Sequence, residues 1–354
     1  MTEPDRLDSL AYSLARYRDV SPRLAFRART AAEAETWAIE ARSKLRELIG
    51  PLPAETVPLQ PTWGEPVRRP GHTRRSVLFA TRPGLAAFGY LLIPDELDAP
   101  APGFVCIPGH GRGVDEIVGI DERGRDRDHL DGYQHDFAVQ CAQKGYVTLA
   151  LEPIGFGHRR DEAARQRGPG ASSCQPAAGA ALLLGETMVG WRAWDALRAV
   201  DLLAERPEVD PARIGMMGIS GGGTITLYAA ALDDRIRAAF LSGSFCTYRD
   251  SIFSIQHCID NYVPGILNWF EMPDLAALIA PRFLFVENGV EDPIFPEAGV
   301  KSALRRVEAA YKALGVPDRV ASAFFPAGHQ FDGTAAFAQL ATWLSPRSGD
   351  KGRS

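Results

Sequence analysis

The stretch "RIGMMGISGGGTITLYAAAL", Arg213 to Leu232, decides how this chain is read. A short apolar run leads into G-I-S-G-G, Gly218 to Gly222, and small apolar residues follow. The first part reads as a strand and the second as a packed helix. A serine held on a sharp strand-to-helix turn needs glycine on both sides, because a Cβ there would strike the neighbouring strand or helix. The same letters also suit a serine that merely caps the helix. What separates the two readings lies downstream: a base and an orienting acid, in the right order.

Short apolar runs recur on both sides of this turn. Gly103–Gly109, Tyr146–Pro153, Ile236–Ser244, Arg282–Gly289 and Val320–Gly328 read as strands. Helical patterns fall between them, near 133–144, 190–206, 221–232, 297–314 and 331–344. Such alternation builds βαβ units, hence a mostly parallel sheet with helices on both faces and chemistry at the strand C-terminal ends. Arg75–Pro94 reads as a β-hairpin leading into it. Residues 1–70 read as a helical N-terminal extension ending in a Pro-rich connector, Pro51–Pro66. Within it Thr30 caps a helix to Gly50, with Glu33 three residues on and Trp37, Ile39, Leu45 and Leu48 along one side. Residues 71–346 are expected to form the catalytic domain and 347–354 a disordered tail. Two insertions, 154–189 and 245–280, are too long for simple connections and are expected to act as lids or pocket walls. Trp191, Phe245, Tyr248, Tyr262, Trp269 and Phe270 are the candidate wall residues.

A serine hydroxyl becomes a nucleophile only beside a base, usually His, that a third group orients. Asp292, in "VENGVEDPIFP", lies just past the strand ending at Gly289 and is the expected acid; Glu287 and Glu291 are its rivals. His329, in "FFPAGHQFDG", follows the last strand and is the expected base. His129, His135, His158 and His257 do not follow that strand. Ser220, Asp292, His329 is the chain order of the nucleophile-elbow hydrolases. The developing oxyanion needs two backbone N–H groups. Gly221 supplies one and Arg112, in "PGHGRG", the expected second, with Gly111 as rival; His110 is read as stabilising the loop.

Composition narrows the partners. The formal charge of −5 over 354 residues argues against nucleic acid. The basic cluster Arg68–Arg75 reads as a solvated loop. No apolar run reaches the roughly 18 residues of a membrane span. With no visible signal sequence and five scattered cysteines lacking C-x-x-C spacing, a cytoplasmic protein with reduced thiols is expected. Asp121–Asp136 is rich in Asp and His but matches no ligand spacing, so it reads as a solvated loop and no metal is assigned. The basic residues of Gly155–Asp161 could meet an acidic substrate group or face solvent.

These residues resemble the α/β-hydrolase superfamily, in its dienelactone-hydrolase-like and acetyl-xylan-esterase-like branch. The likeness rests on "PGHGRG", "GYVTLALEPIGFGHR", "DALRAVDLLAERPEVDPARIGMMGISGGG", "NYVPG", "EDPIFP" and "AGHQF", and covers roughly residues 30–345. It implies an α/β-hydrolase fold and hydrolysis of a small carboxylic ester through an acyl-enzyme, without a cofactor. Dienelactone hydrolases proper use cysteine where this chain has Ser220, which argues against that activity. Carboxylesterase or acetyl (sugar) esterase activity is the leading expectation. C–C bond hydrolysis or acyl transfer by the same triad is the alternative, and a complete triad argues against a non-catalytic binding protein. A homo-oligomer through the N-terminal helices is a further expectation.

Overall fold

The structure, a computed structural model, describes residues 7–97 and 100–344, so the expected tail at 347–354 lies outside the described residues. Two helices come first, α1 (Ser9–Arg18) and α2 (Ala31–Leu48). Short strands β1 (Thr62–Trp63) and β2 (Val67–Arg69) precede the hairpin β3 (His72–Arg82) and β4 (Leu85–Pro94). Then come β5 (Ala101–Ile107), α3 (Val114–Ile117), α4 (Phe137–Gln143) and β6 (Val147–Leu151). The first insertion carries α5 (Glu162–Gln166) and α6 (Cys174–Leu183) and leads into α7 (Met188–Ala204). Next are β7 (Val209–Ile219), α8 (Gly221–Leu232) and β8 (Ile236–Ser242). The second insertion carries α9 (Met272–Ala277), and β9 (Phe283–Gly289), α10 (Glu297–Ala313), β10 (Val320–Phe325) and α11 (Thr334–Trp343) complete the fold.

The ten strands form one sheet in the order β1-β3-β4-β6-β5-β7-β8-β9-β10, with β2 added to β3. The hairpin is antiparallel, β4 runs antiparallel to β6, and every pairing from β6 to β10 is parallel. The central strands feed two cores. Val105, Ile107, Leu149 and Met216 face one, and Phe104, Cys106, Ala150 and Met217 face the other. Burial on both faces explains why these strands read as continuous apolar runs. It is the mostly parallel sheet expected from the alternation, in the α/β-hydrolase arrangement that the resemblance implies.

Helix α8 is buried along its whole length. A helix enclosed on all sides cannot carry a polar stripe, which accounts for its run of Gly and Ala. Helix α2 packs into the same core through Ala41 and Leu45, with Trp37, Ala38 and Leu48 against it. Its Arg42 holds the carbonyls of Ala231 and Leu278, each at 3.0 Å. Ile39 does not join the packed side; it is 68% exposed, because the buried stripe runs through positions 34, 41 and 45. Residues 19–30 are irregular rather than helical, tied down by Arg23 and Leu24 N–H bonds to the carbonyls of Asn268 and Trp269.

The candidate wall aromatics divide: Tyr262 is exposed and lines a cavity of the second insertion with Ile252, Phe253 and Val263, and the others are packed into the fold. Phe245, Tyr248 and Phe270 are core. Trp269 lies under Arg23 and Lys44, and Trp191 donates its indole N–H to Glu186.

Candidate active site

Ser220 directly follows β7 with φ 53° and ψ −125°, a conformation that residues other than glycine seldom hold. Its side chain makes no capping bond to α8, so the capping reading fails. The flanking glycines are required. A Cβ on Gly218 would lie 2.3 Å from Gly222 C and O, and one on Gly222 would lie 2.0 Å from Ile107 O. The turn is fastened sideways by the Ser220 N–H to Ser242 O (2.9 Å). Ser220 Oγ itself makes no hydrogen bond to the described protein.

Asp292 and His329 meet, Nδ1 to Oδ2, at 2.7 Å. The carboxylate is buried, and its other oxygen, Oδ1, accepts the N–H groups of Ile294 (2.8 Å) and Phe295 (3.1 Å). The loops after β9 and β10 that carry the pair are zipped by Val290 N–H to Phe325 O and Glu291 N–H to Ala327 O, each 3.0 Å. This approach needs Gly289, where a Cβ would lie 2.1 Å from Gly328 O. The imidazole is stacked between Tyr133 and Phe295, at ring-centre distances of 5.4 and 5.9 Å. Gly243, next after the Ser242 that holds Ser220, lies directly against it: a Cβ there would sit 3.2 Å from His329 Cε1 and Nδ1. The loops after β7, β8, β9 and β10 thus converge on one spot.

The rivals have other work. Glu287 accepts Ser242 Oγ–H (2.7 Å) and the N–H groups of Asp332 and Gly333, bracing the His329 loop from below. Burial pushes its carboxyl up to about 7. Glu291 is exposed. His129 pairs with Asp128 and His158 with Asp115.

The oxyanion side needs a correction. The Arg112 N–H donates to Glu116 Oε2 at 3.1 Å and is therefore already committed. The Gly109 N–H is taken by Gln134 Oε1 at 2.8 Å. Between them, His110 and Gly111 carry amides without an acceptor among the described residues. Gly109 abuts the elbow, since a Cβ on it would lie 3.0 Å from Ser220 Cβ. The His110 ring lies 3.3 Å from where a Gly221 Cβ would be. Glu116, Gln134 and Glu152 are the buried polar groups that shape this loop, and sequence reasoning missed all three. Glu152 accepts the N–H groups of Val114 and His158. A Cβ on Gly113 or Gly157 would come within 2.1 Å of its carboxylate. Tyr133 was missed too; its hydroxyl donates to His110 O at 2.7 Å, linking the loop after β5 to the His329 ring on which it stacks.

His110 also reaches away from the elbow. Its Nε2 lies 3.2 Å from Asp260 Oδ2 and 3.9 Å from Cys174 Sγ. Burial opposes the charged ring, but Asp260 and Cys174 outweigh it and lift the pKa to about 9. The expected loop-stabilising role of His110 has this contact as its physical basis.

Other charged segments are anchored to the fold. Residues 122–132 are exposed apart from Arg127, as expected of a solvated loop, but Asp126 pairs with Arg69 and Arg74, and Asp136 with Arg127. Arg159 donates to Asp195 (2.7 Å), and Arg160 holds the carbonyls of Gly157, Gly168 and Ala171. The basic residues of Gly155–Asp161 are thereby used within the fold.

Comparison with known proteins agrees with this architecture. The sequence profile of the Abhydrolase family matches residues 10–339. A Bacillus subtilis (strain 168) protein named "Putative hydrolase YtaP" is 29% identical over 292 residues, covering 79% of this chain and 89% of its own length. A "putative acetyl xylan esterase" from Bacteroides fragilis superposes with a TM-score of 0.75 at 21% identity, covering 90% of this chain and 82% of that one. A glucuronoyl esterase from Solibacter usitatus superposes with a TM-score of 0.65 at 17% identity, covering 88% and 93%. At these identities the two structures speak to the fold. No helix among the described residues is long and apolar enough to cross a membrane.

Proposed function

The chain belongs to the Abhydrolase family, and on that premise we propose that it is a serine esterase acting on small carboxylic esters through an acyl-enzyme. The observation that carries the reading is the strained Ser220 just after β7, tied by its N–H to Ser242 beside the glycine that abuts His329, which in turn contacts a buried Asp292. In this reading Ser220 Oγ attacks the ester carbonyl and His329 Nε2 takes its proton. Asp292 holds the proton on Nδ1 and stabilises the imidazolium. The leaving alcohol takes the proton back, and water, activated by the same imidazole, releases the acid. The N–H groups of Gly221 and of His110 or Gly111 receive the oxyanion, in place of Arg112, whose amide is engaged by Glu116.

The named substrates of the structural neighbours, acetylated xylan and glucuronoyl esters, support a carbohydrate ester as the substrate class. The test is a kinetic panel of short-chain nitrophenyl esters, acetylated sugars and uronic-acid esters, with Ser220→Ala as control. Turnover of at least one class that disappears in the variant supports the reading. Wild-type turnover by Ser220→Ala would overturn it.

A further inference from the structure

Four potential metal donors meet beside the elbow, from three distant parts of the chain. His110 comes from the loop after β5, Cys174 from the start of α6, and Cys258 and Asp260 from the second insertion. Their ligand atoms all lie within 4.8 Å of one another. We propose that His110 Nε2, Cys174 Sγ, Cys258 Sγ and an Asp260 carboxylate oxygen bind one transition-metal dication of the zinc class.

Geometry and chemistry both support this site. Zinc bonds of about 2.0–2.1 Å to N and O and about 2.3 Å to S place neighbouring tetrahedral ligand atoms roughly 3.3–3.8 Å apart. The separations of His110 Nε2 from Asp260 Oδ2 (3.2 Å) and from Cys174 Sγ (3.9 Å) already lie near that range. Two thiolates, an imidazole and a carboxylate select a zinc-like ion over magnesium or calcium. Four protein ligands close the shell, so the ion holds structure rather than activating water.

The surroundings fit an outer shell. Arg192 is fully buried, with Nη2 3.1 Å from Cys174 Sγ and Nη1 on Asp260 Oδ2. Asp260 Oδ1 accepts from Asn261 Nδ2 at 2.9 Å. Two thiolates and one carboxylate exceed a dication by one negative charge, which the guanidinium balances. Binding releases to solvent the protons held on the two sulfurs and on His110 Nε2, forms two metal–sulfur bonds, one metal–nitrogen bond and one metal–oxygen bond, and changes no oxidation state. The ion ties both insertions to the His110 loop. Only that loop's part in catalysis rests on the esterase reading; the metal site stands without it.

The test uses tag-free full-length protein, reduced, stripped with chelator and titrated with Co²⁺ without oxygen. The expected result is one Co²⁺ per chain, with sulfur-to-cobalt charge-transfer bands and intense tetrahedral d–d bands, all abolished by Zn²⁺. Cys174→Ser and Cys258→Ser should each weaken the charge-transfer bands. A second readout needs no variant: zinc-edge X-ray absorption of the Zn²⁺-loaded wild type should show two sulfur and two nitrogen or oxygen neighbours. Absence of Co²⁺ binding, a sulfur-free zinc shell, or a Cys174–Cys258 disulfide that persists under reductant would overturn the proposal.

Discussion

Replacing Asp292 by Asn tests the proposed orientation of the His329 ring through a constraint visible at the other end of the side chain. Asp292 Oδ1 accepts two backbone N–H groups, from Ile294 and Phe295. In Asp292→Asn the amide oxygen must keep that place, so the NH₂ turns toward His329 Nδ1. The ring then accepts at Nδ1 and carries its proton on Nε2, where it cannot receive one from Ser220. Restoring the working tautomer means flipping the amide and leaving two buried donors unpaired. At about 1–3 kcal/mol each, the flip costs about 2–6 kcal/mol. One decade of rate is about 1.4 kcal/mol, so kcat should fall about 30-fold to about 10⁴-fold. The shape is conserved, so the melting temperature should move little. The assay is steady-state hydrolysis of nitrophenyl acetate across pH, with melting followed alongside. Activity within threefold of wild type would refute the reasoning, because it would mean that the Asp292–His329 contact does not set the imidazole's proton.

Other consequences can be measured independently. Gly222→Ala would place a Cβ 2.0 Å from Ile107 O. The elbow must open by more than about 1 Å, and activity should drop about 100-fold or more while circular dichroism stays native. Leu45→Ala, on the fully buried side of α2, should cost about 2–5 kcal/mol in denaturant unfolding, since that helix shares the main core; a surface-like cost of under about 0.5 kcal/mol would place α2 outside that core. Burial raises Glu152 from 4.5 to about 7. The unfolded chain therefore loses its proton first as pH rises, and the stability held by the protonated form below about 4.5 is lost up to about 7. Glu152→Gln lacks this loss, so its stability relative to wild type should improve by about 3 kcal/mol between pH 4 and 8 in urea titrations. A pH-independent difference would contradict that account.

The parts legible in the sequence were those enforced by local rules. Glycines 218 and 222, the strand before them and the buried helix after them are dictated by steric contact within a few residues. The contact between Asp292 and His329 could be anticipated because each follows a strand of a mostly parallel sheet, and the structure joins them at 2.7 Å. The Arg112 assignment failed because an amide's availability depends on a partner; Glu116 is only four residues away, but nothing in its spacing shows that its carboxylate turns back. Tyr133 was invisible for a similar reason: it sits in the lead-in to α4 and reaches the imidazole only through tertiary packing. Cys174 and Cys258 lie 84 positions apart, and no spacing rule would join them to His110. Ile39 looked like a core position because one helical side was drawn too wide.

The central claim is that Ser220 becomes covalently acylated. Intact-mass and peptide mapping after treatment with a fluorophosphonate tests it most directly. The account predicts one adduct per chain, on Ser220, with hydrolytic activity lost in the same proportion. Full turnover by protein already modified at Ser220, or an adduct on another residue that alone abolishes activity, would contradict it.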